Sequence, residues 1–339
     1  MLGSTDTPLC QTYDLAALDL DGVVYVGHDS VPGAPDHLAA ARAAGMTIAF
    51  VTNNASRPAS SVAEHLRELG IEVDDVDVVT SGQAAAGLLA DQLPAGSHVY
   101  LIGGEGLVVA LTERGLVPVT SPTDAPVAVV QGYGPDLPWK QVVAGAILVR
   151  DGLPWVASNT DMTIPTPHGI GPGNGTLVRL IAEYAGREPQ VAGKPSPPLL
   201  EETLHRVAGE RPLMVGDRLD TDIAGGVAVG WDTLLVLTGV TGLAELVAAE
   251  PGERPTYVAV DLAGLMEAHV APVLDDDGTV RAGGWSATVA DGSLSLTGTG
   301  EASDWWRAVA VAAWRHHDDT GQVVDTSGVT PPDADAQVA

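Results

Sequence analysis

Two aspartates near the start of the chain have the type and spacing that paired acid chemistry needs. Asp19 and Asp21 follow the apolar run Leu15 to Leu18, which is typical of a buried parallel strand. Side chains two positions apart on a strand point the same way, so both carboxyl groups should face the crevice where open α/β sheets bind ligands. Asp19 can attack phosphorus, while Asp21 can protonate the leaving oxygen and later activate the water that cleaves the acyl phosphate.

Further polar residues follow other apolar runs in the order that phosphoryl chemistry would use them. Thr52 comes directly after the run Met46 to Val51 and offers a hydroxyl and nearby N–H groups to phosphoryl oxygens. Lys194, one of only two lysines, supplies positive charge. Asp217 and Asp222 follow a later strand and offer hard oxygen ligands, or support for such ligands, to Mg²⁺. The ordered set predicts a site for phosphoryl transfer.

The Asp-x-Asp-Gly pattern by itself is weak, because the chain contains it twice. The second copy, Asp275 to Gly278, lies in a turn-rich segment and is predicted to be a solvated turn. A turn near the N-terminus would also be the simpler interpretation of Asp19 taken alone. The acidic pair, threonine, lysine and second acidic pair, each after an apolar run or in the following loop, favour the catalytic interpretation.

Apolar runs alternate with helical spacing along most of the chain, which predicts a doubly wound, Rossmann-like α/β fold with a parallel sheet. From Ser81 the alternation starts again and indicates a second α/β unit. After about Pro272 the pattern changes to hairpin turns and a tryptophan-rich helix, which predicts a small α+β extension. The polar residues 321–339 are expected to be disordered.

Composition and charge exclude several classes of protein. The 339 residues are 45% hydrophobic, enough for about two globular domains. The net charge of −28 opposes nucleic-acid phosphates and anionic lipid, so neither nucleic acid nor membrane is expected as a partner. Cys10 is the only cysteine, which excludes an internal disulfide and makes the reducing cytoplasm the simplest compartment. We see neither a secretory signal nor an apolar run of about 18 residues.

The motifs, in this order, resemble the four motifs of the haloacid dehalogenase superfamily. Its NagD-like branch, class IIA, is the most similar, and the resemblance covers roughly residues 13–268. The matching stretches are Asp19 to Tyr25, Val31 to Ala34, Val51 to Asn54, Gly193 to Pro195 and Gly216 to Asp222.

The spacing of the motifs agrees with this resemblance and implies a domain organisation. About thirty residues separate Asp19 from Thr52, too few for a cap domain, whereas well over a hundred separate Thr52 from Lys194. The resemblance therefore implies a phosphatase core of residues 1–80 and 191–271 with an inserted α/β cap of type C2 at 81–190. Residues 272–339 would form the C-terminal extension.

The resemblance also implies roles for individual residues. Mg²⁺ would be held by the carboxylates of Asp19 and Asp217 and by the backbone carbonyl of Asp21, with Asp222 orienting the site. His168 is a candidate for selecting the substrate from the cap. The residues expected to handle the phosphate are Thr52, Asn53, Asn54 and Lys194.

The function that the resemblance implies is hydrolysis of a small phosphorylated metabolite, with an aspartyl-phosphate on Asp19, by an enzyme that forms a homodimer through its cap. Glycerol 3-phosphate and phosphoglycolate are substrates consistent with the family. Asp21 argues against the dehalogenases, which lack this second acid. A sugar-phosphate mutase uses the same two acids, but its cap normally lies between the first two motifs. A non-enzymatic phosphoacceptor or binding module is the alternative from another class; phosphoacceptor receiver domains are far shorter, and a catalytically dead module would not need every expected chemical group.

The extension is predicted to be a structural or interaction module. It holds four of the seven tryptophans, and Trp306, Ala310 and Trp314 fall on one helical face that should pack on the rest of the protein. A remnant of an acetyltransferase is the enzymatic alternative, because Thr297 to Gly300 faintly resembles that family's pyrophosphate loop. Ser295 stands where that loop would have arginine or glutamine, which argues against it.

Overall fold

A computed structural model of the chain describes residues 1–166 and 169–332. It forms two compact units. The first contains Met1–Ile48 and the described residues from Gly209 onward, and the second is Ala49–Ala208. The domain boundaries predicted from the sequence, near residues 80, 190 and 271, stay a prediction.

Strands and helices alternate through most of the described residues. In chain order the strands are β1 (Leu15–Leu18), β2 (Tyr25–Val26), β3 (Asp29–Ser30), β4 (Thr47–Thr52), β5 (Val78–Thr80), β6 (His98–Ile102), β7 (Val117–Val119), β8 (Ala128–Gln131), β9 (Trp155–Ala157), β10 (Thr163–Thr166), β11 (Gly169–Pro172), β12 (Gln190–Val191), β13 (Pro212–Gly216), β14 (Asp232–Val236), β15 (Tyr257–Ala259), β16 (Val273–Leu274), β17 (Val280–Ala282), β18 (Trp285–Ala290) and β19 (Ser293–Gly298).

The α-helices, in the same order, are α1 (Leu9–Thr12), α2 (Ala34–Ala43), α3 (Ala59–Glu68), α4 (Ser81–Ala90), α5 (Glu105–Glu113), α6 (Trp139–Arg150), α7 (Asn174–Ala185), α8 (Pro198–Arg206), α9 (Ala224–Ala228), α10 (Leu243–Val247) and α11 (Ala302–Thr320). Short 3-10 turns occupy Asp75–Asp77, Pro122–Asp124, Pro251–Glu253 and Leu262–Met266, and a π-turn occupies Leu219–Ile223. None of the described helices combines the length and the apolar character needed to cross a membrane.

In the first unit, β1, β13, β14 and β15 pair in parallel in that order. All four residues of β1 are buried, as expected for a strand that is covered on both faces of its sheet. The register pairs Leu18 with Val215, and the Asp19 N–H donates to the Val215 carbonyl at 2.9 Å. The carboxyl ends of β1 and β13 therefore finish at the same level.

In the second unit, β4 pairs in parallel with β5, and a separate parallel sheet of five strands has the order β12-β9-β8-β6-β7. Helices α6 and α7 pack on each other and cover one face of the five-stranded sheet. Between them in sequence, β10 and β11 form an antiparallel hairpin that the sequence analysis did not predict.

The extension consists of the antiparallel sheet β16-β17-β18-β19 and the helix α11. The helix packs on β17 and β18 on one side and on α10 and β15 of the first unit on the other. Trp305, Trp306 and Trp314 are buried in a cluster shared with Leu235 and Val258. The predicted fold class is confirmed: parallel α/β sheets with a small C-terminal α+β extension.

The prediction of a disordered tail is wrong for residues 321–332. Asp325 forms a β-bridge to Ser293, and its carbonyl accepts a hydrogen bond from the Leu294 N–H at 2.9 Å. Val324 is buried against the same cluster as α11. Backbone pairing to an edge strand needs no particular side-chain composition, so polar composition did not reveal it. The rest of the predicted tail, 333–339, lies outside the described residues.

Candidate active site

Three aspartates at the carboxyl ends of β1 and β13 form a compact cluster. Asp19, Asp217 and Asp222 each offer a carboxylate oxygen, and these oxygens lie within 4.8 Å of one another. Asp19 follows β1 and is half-buried, whereas Asp217 follows β13 and is fully buried, as is Asp222 in the following π-turn. The matched register of the two strands is what brings residues so far apart in sequence to one point.

Glycines make room for two of these carboxylates. A Cβ atom on Gly239 would lie 1.9 Å from Asp217 Oδ2, and one on Gly22, whose φ is +84°, would lie 2.6 Å from the same oxygen. A Cβ on Gly216 would lie 2.3 Å from Asp222 Oδ2. All three distances are far below van der Waals contact, so any side chain there would displace a carboxylate.

Backbone N–H groups fix the two buried carboxylates. The Val240 N–H donates to Asp217 Oδ2 at 2.6 Å, and the Arg218 N–H donates to Asp222 Oδ2 at 3.1 Å. Three clustered carboxylates repel one another, and their hard oxygen atoms suit a small divalent cation such as Mg²⁺.

Asp21 lies beside the cluster in sequence but is not one of the three. Its side chain is exposed, and its backbone forms an isolated bridge to Tyr25. The Gly22 N–H donates to the Tyr25 carbonyl at 2.9 Å, and the Gly22 carbonyl accepts from the Thr238 hydroxyl at 2.5 Å. These contacts hold the segment after β1 in a tight turn.

The remaining predicted site residues lie in the second unit. Lys194 is almost completely buried, and its Nζ donates to the Val51 carbonyl at 3.1 Å. The Thr52 hydroxyl oxygen accepts from the Asn54 N–H at 3.1 Å. Asn54 Oδ1 in turn accepts from the backbone N–H and the hydroxyl of Ser56, at 2.8 and 2.7 Å. Among these side chains the Lys194 ammonium supplies the positive charge.

Asn53 contacts Lys194 directly. Its Oδ1 accepts from the Lys194 N–H at 2.8 Å, and its Nδ2 donates to the Lys194 carbonyl at 3.0 Å. The same Nδ2 also donates to both carboxylate oxygens of Asp161, at 3.2 and 3.3 Å. The structure thus brings Asn53 and Lys194 together, although 141 positions separate them.

Several polar residues that were not predicted from the sequence join this group. Asn159 and Asp161 follow β9, and Asn174 begins α7. Polar residues directly after an apolar strand were the signal used for Thr52, and the same signal was present after β9. His168, the predicted specificity residue, lies outside the described residues.

Comparison with family models gives two matches. A haloacid dehalogenase-like hydrolase model matches residues 16–117, and a HAD-hydrolase-like model matches residues 191–265. These segments contain the first two motifs and the last two motifs of the sequence analysis, respectively.

Two curated relatives are similar over most of their own length. The chain is 41% identical to D-glycerol 3-phosphate phosphatase of Mycobacterium tuberculosis over 316 residues, which is 90% of this chain and 87% of the relative. It is 35% identical to the acid sugar phosphatase of Staphylococcus aureus over 252 residues, 74% of this chain and 95% of the relative.

Two solved structures match this chain to the same extents as the two relatives, about nine tenths and about three quarters of its length. The crystal structure of M. tuberculosis glycerol phosphate phosphatase with magnesium has a TM-score of 0.84 at 41% identity and covers 91% of this chain and 92% of its own. The 4-nitrophenylphosphatase of Thermotoga maritima has a TM-score of 0.71 at 30% identity and covers 77% of this chain and 98% of its own.

Proposed function

This chain belongs to the haloacid dehalogenase-like hydrolases, and from that premise we propose that it is a Mg²⁺-dependent phosphatase of small metabolites that works through an aspartyl-phosphate on Asp19. The observation that supports this most is the cluster of Asp19, Asp217 and Asp222, whose carboxylate oxygens lie within 4.8 Å of one another. The relatives from M. tuberculosis and S. aureus are both named phosphatases, which supports the same reaction class.

The proposed reaction has two halves. A carboxylate oxygen of Asp19 attacks phosphorus, the bond from phosphorus to the substrate oxygen breaks, and Asp21 protonates that leaving oxygen. Asp21 then takes a proton from water as the water oxygen attacks the phosphorus of the acyl phosphate, which releases inorganic phosphate and restores Asp19. The exposure of the Asp21 side chain suits a group that exchanges protons with substrate and water.

The metal and the lysine have separate proposed tasks. Asp19 and Asp217, with the Asp21 carbonyl, would hold Mg²⁺, and Asp222 would orient the site or add a ligand. Bound Mg²⁺ supplies positive charge against the phosphoryl oxygens. Thr52, Asn54 and Lys194 are the residues that we propose to bind phosphoryl oxygens.

Glycerol 3-phosphate is the substrate we favour. The relative that matches 90% of this chain is named for D-glycerol 3-phosphate. Phosphoglycolate and sugar phosphates are the comparison substrates, and His168 stays a candidate for selecting among them. Such metabolites fit the cytoplasm predicted from the single cysteine.

A phosphate-release screen tests the function. The full chain is incubated with both enantiomers of glycerol phosphate, phosphoglycolate and a panel of sugar phosphates, with Mg²⁺ and with EDTA. We expect release from at least one substrate, loss of activity in EDTA and its return when Mg²⁺ is added in excess. Full activity after exhaustive dialysis into EDTA would contradict the metal site, and no release from any substrate would contradict the phosphatase assignment.

We also propose that the protein forms a homodimer through helices α6 and α7. Both helices expose apolar side chains at helical spacing, and α6 contains no acidic residue although the whole chain carries a net charge of −28. Exposed apolar side chains favour association, and a helix without acids lowers the repulsion between two such chains. This α6–α7 face consists of Trp139, Val143, Ile147, Leu180 and Tyr184.

Light scattering after gel filtration tests the dimer. We expect the wild-type chain to have twice the monomer mass of 34.7 kDa and the Val143→Glu/Ile147→Glu variant to have the monomer mass. Val227→Glu, an exposed position on α9, is the control and should stay dimeric. A monomeric wild type at micromolar concentration would contradict the proposal.

A further inference from the structure

The Asn53 carboxamide is completely occupied by contacts within the protein. Its two N–H groups point to the Lys194 carbonyl and to the Asp161 carboxylate, and its oxygen accepts from the Lys194 N–H. An amide side chain has only two N–H donors. Neither of them is left over to bind a phosphoryl oxygen.

The main chain of Asn53 is held as well. Its carbonyl accepts from the Ser81 hydroxyl at 2.5 Å and from the Asn159 Nδ2 at 2.6 Å. Asn53 is therefore fixed at its backbone and at its side chain. Its carboxamide in turn holds the backbone of Lys194 by two hydrogen bonds.

Gly193 leaves room for the hydrogen bonds between the Asn53 carboxamide and the Lys194 backbone. A Cβ atom at position 193 would lie 2.6 Å from Asn53 Oδ1 and 2.6 Å from the Ser158 carbonyl. The residue before Lys194 therefore has to lack a side chain for the Asn53 carboxamide to reach both polar groups of the Lys194 backbone.

A line of buried amides connects Asn53 to the five-stranded sheet. Asn159, which donates to the Asn53 carbonyl, accepts at its own carbonyl from Asn174 Nδ2 at 2.7 Å. Asn174 Oδ1 accepts from Gln131 Nε2 at 3.3 Å. All three amide side chains are buried, so their hydrogen bonds do not compete with water and hold a defined geometry.

We infer that Asn53 is a positioning residue, which sets the place of the Lys194 ammonium and is itself held by the amide line from Gln131, Asn174 and Asn159. The inference rests on the proposed function, in which Lys194 acts on the phosphoryl group. It replaces the role that the sequence analysis expected for the Asn53 side chain, direct contact with the phosphate.

A double-mutant cycle separates positioning from direct phosphate binding. Hydrolysis of 4-nitrophenyl phosphate with Mg²⁺ is measured for the wild type, Asn53→Ala, Lys194→Ala and the double variant. We expect Asn53→Ala to lower kcat about a hundredfold, the size of effect that a displacement near 1 Å can produce. In the Lys194→Ala background the same substitution should change kcat by less than about threefold, because the group that Asn53 positions is gone.

Two further variants disturb the hydrogen bonds of Asn53 without changing Asn53 itself. Gly193→Ala leaves Asn53 unchanged but displaces its carboxamide, and should lower kcat about as much as Asn53→Ala. Asn174→Ala shortens the amide line and should lower kcat several-fold, again only when Lys194 is present. Gln141→Ala is the control, since Gln141 also gives an amide hydrogen bond to a backbone carbonyl, Leu101, but lies outside the line. It should keep the wild-type kcat.

The outcomes distinguish a positioning role of Asn53 from the proposed role of Lys194. If Asn53→Ala lowers activity by the same factor with and without Lys194, Asn53 acts on the phosphate directly and the inference is wrong. The inference is also wrong if Asn53→Ala keeps the wild-type kcat. If Lys194→Ala itself hydrolyses at the wild-type rate, the proposed function of Lys194 fails instead. Thermal unfolding is recorded for each variant, and if Asn53→Ala does not fold, Asn53→Asp, which keeps the acceptor and loses both donors, replaces it in the cycle.

Discussion

Asp19 is one of two aspartates that begin an Asp-x-Asp-Gly pattern, and the other, Asp275, provides a matched control. We expect Asp19→Asn to abolish phosphate release from every substrate, because an amide is a poor nucleophile and a weaker ligand than a carboxylate. Asp275→Asn should keep wild-type activity, since Asp275 lies at the β16–β17 turn and pairs with Arg281. Phosphate release is measured for both. Turnover by Asp19→Asn within tenfold of wild type would contradict the mechanism.

Gly239 tests whether the space around Asp217 matters. In Gly239→Ala the new Cβ would start 1.9 Å from Asp217 Oδ2, so the carboxylate or the loop has to move. We expect kcat to fall at least about a hundredfold and the Mg²⁺ concentration for half-maximal activity to rise. Gly252→Ala is the control, because a Cβ there would meet nothing within 4 Å. An unchanged Mg²⁺ requirement in Gly239→Ala would exclude Asp217 from the metal site.

At the scale of elements, a buried cluster of polar residues joins α11 to β15 and to the segment that follows it. Arg307 on α11 donates to the Val258 carbonyl at 2.9 Å and to His269 Nδ1 at 3.2 Å. His269 Nε2 donates to the Gly264 carbonyl at 2.9 Å, an assignment that follows because a carbonyl can only accept and a guanidinium can only donate. Burial, opposed by the Gly264 bond and aided by Arg307, lowers the pKa of His269 to about 4.

This buried histidine predicts acid sensitivity. Because the pKa in the folded state lies below the ordinary value of 6.5, the unfolded chain binds the extra proton between these two pH values. The stability from neutral His269 is present above about pH 6.5 and declines as the pH falls toward 4. The free energy of unfolding should drop by about 2 kcal/mol between pH 7 and pH 5 from this group.

Urea unfolding of the wild type and of His269→Gln at pH 7 and pH 5 measures this drop in the free energy of unfolding. Glutamine can donate and accept like the neutral imidazole but does not titrate, so the variant should lose less stability over the same interval. An identical loss in both proteins would show that other groups, such as Glu267 near Arg307, carry the acid sensitivity.

At the scale of the whole molecule, the extension is part of the first unit's hydrophobic core. From the sequence, this extension is predicted to be a structural or interaction module. Trp305 and Trp314 share one buried cluster with Leu246 and Val258, and Trp314 donates to the Leu246 carbonyl at 2.7 Å. Loss of one such tryptophan typically costs about 3–5 kcal/mol.

We therefore expect the chain truncated after Pro272 to be insoluble or unfolded, because the deletion removes several large core residues together. Circular dichroism and phosphate release of the purified fragment measure this. A chain ending after residue 332 is the control and should keep the wild-type fold and activity. A folded, active fragment ending at Pro272 would show that the extension is dispensable for the first unit.

The relatives differ in how much of this chain they match. The S. aureus and T. maritima phosphatases cover 74% and 77% of this chain, whereas the M. tuberculosis enzyme covers 90% or more. These two phosphatases are themselves matched over 95% and 98% of their own length, so they match only about three quarters of this chain although almost all of their residues are aligned. In this chain α11 packs on buried apolar residues such as Leu246 and Val258, and we expect the extension to be needed to cover them.

Local patterns in the sequence were sufficient for the fold class, and they singled out the residues that we propose as the main chemical groups. Strands such as β1 are short continuous apolar runs, and a residue that ends one of them, such as Asp19, is recognisable because its polarity interrupts the run. The spacing between Thr52 and Lys194 predicts an inserted domain between them, which stays a prediction. Each of these inferences needs only neighbouring residues or a count along the chain.

The contacts between distant residues depended on the tertiary structure. Asn53 grips Lys194 across 141 positions, and Asn174 meets Gln131 across 43, yet each amide looks like an ordinary loop or helix residue in its own segment. The clustering of Asp222 with Asp19 likewise depends on the paired register of β1 and β13. A hydrogen bond has a range of about 3 Å, so its partner is decided by where the packed elements place each group and leaves no periodic signal in the chain.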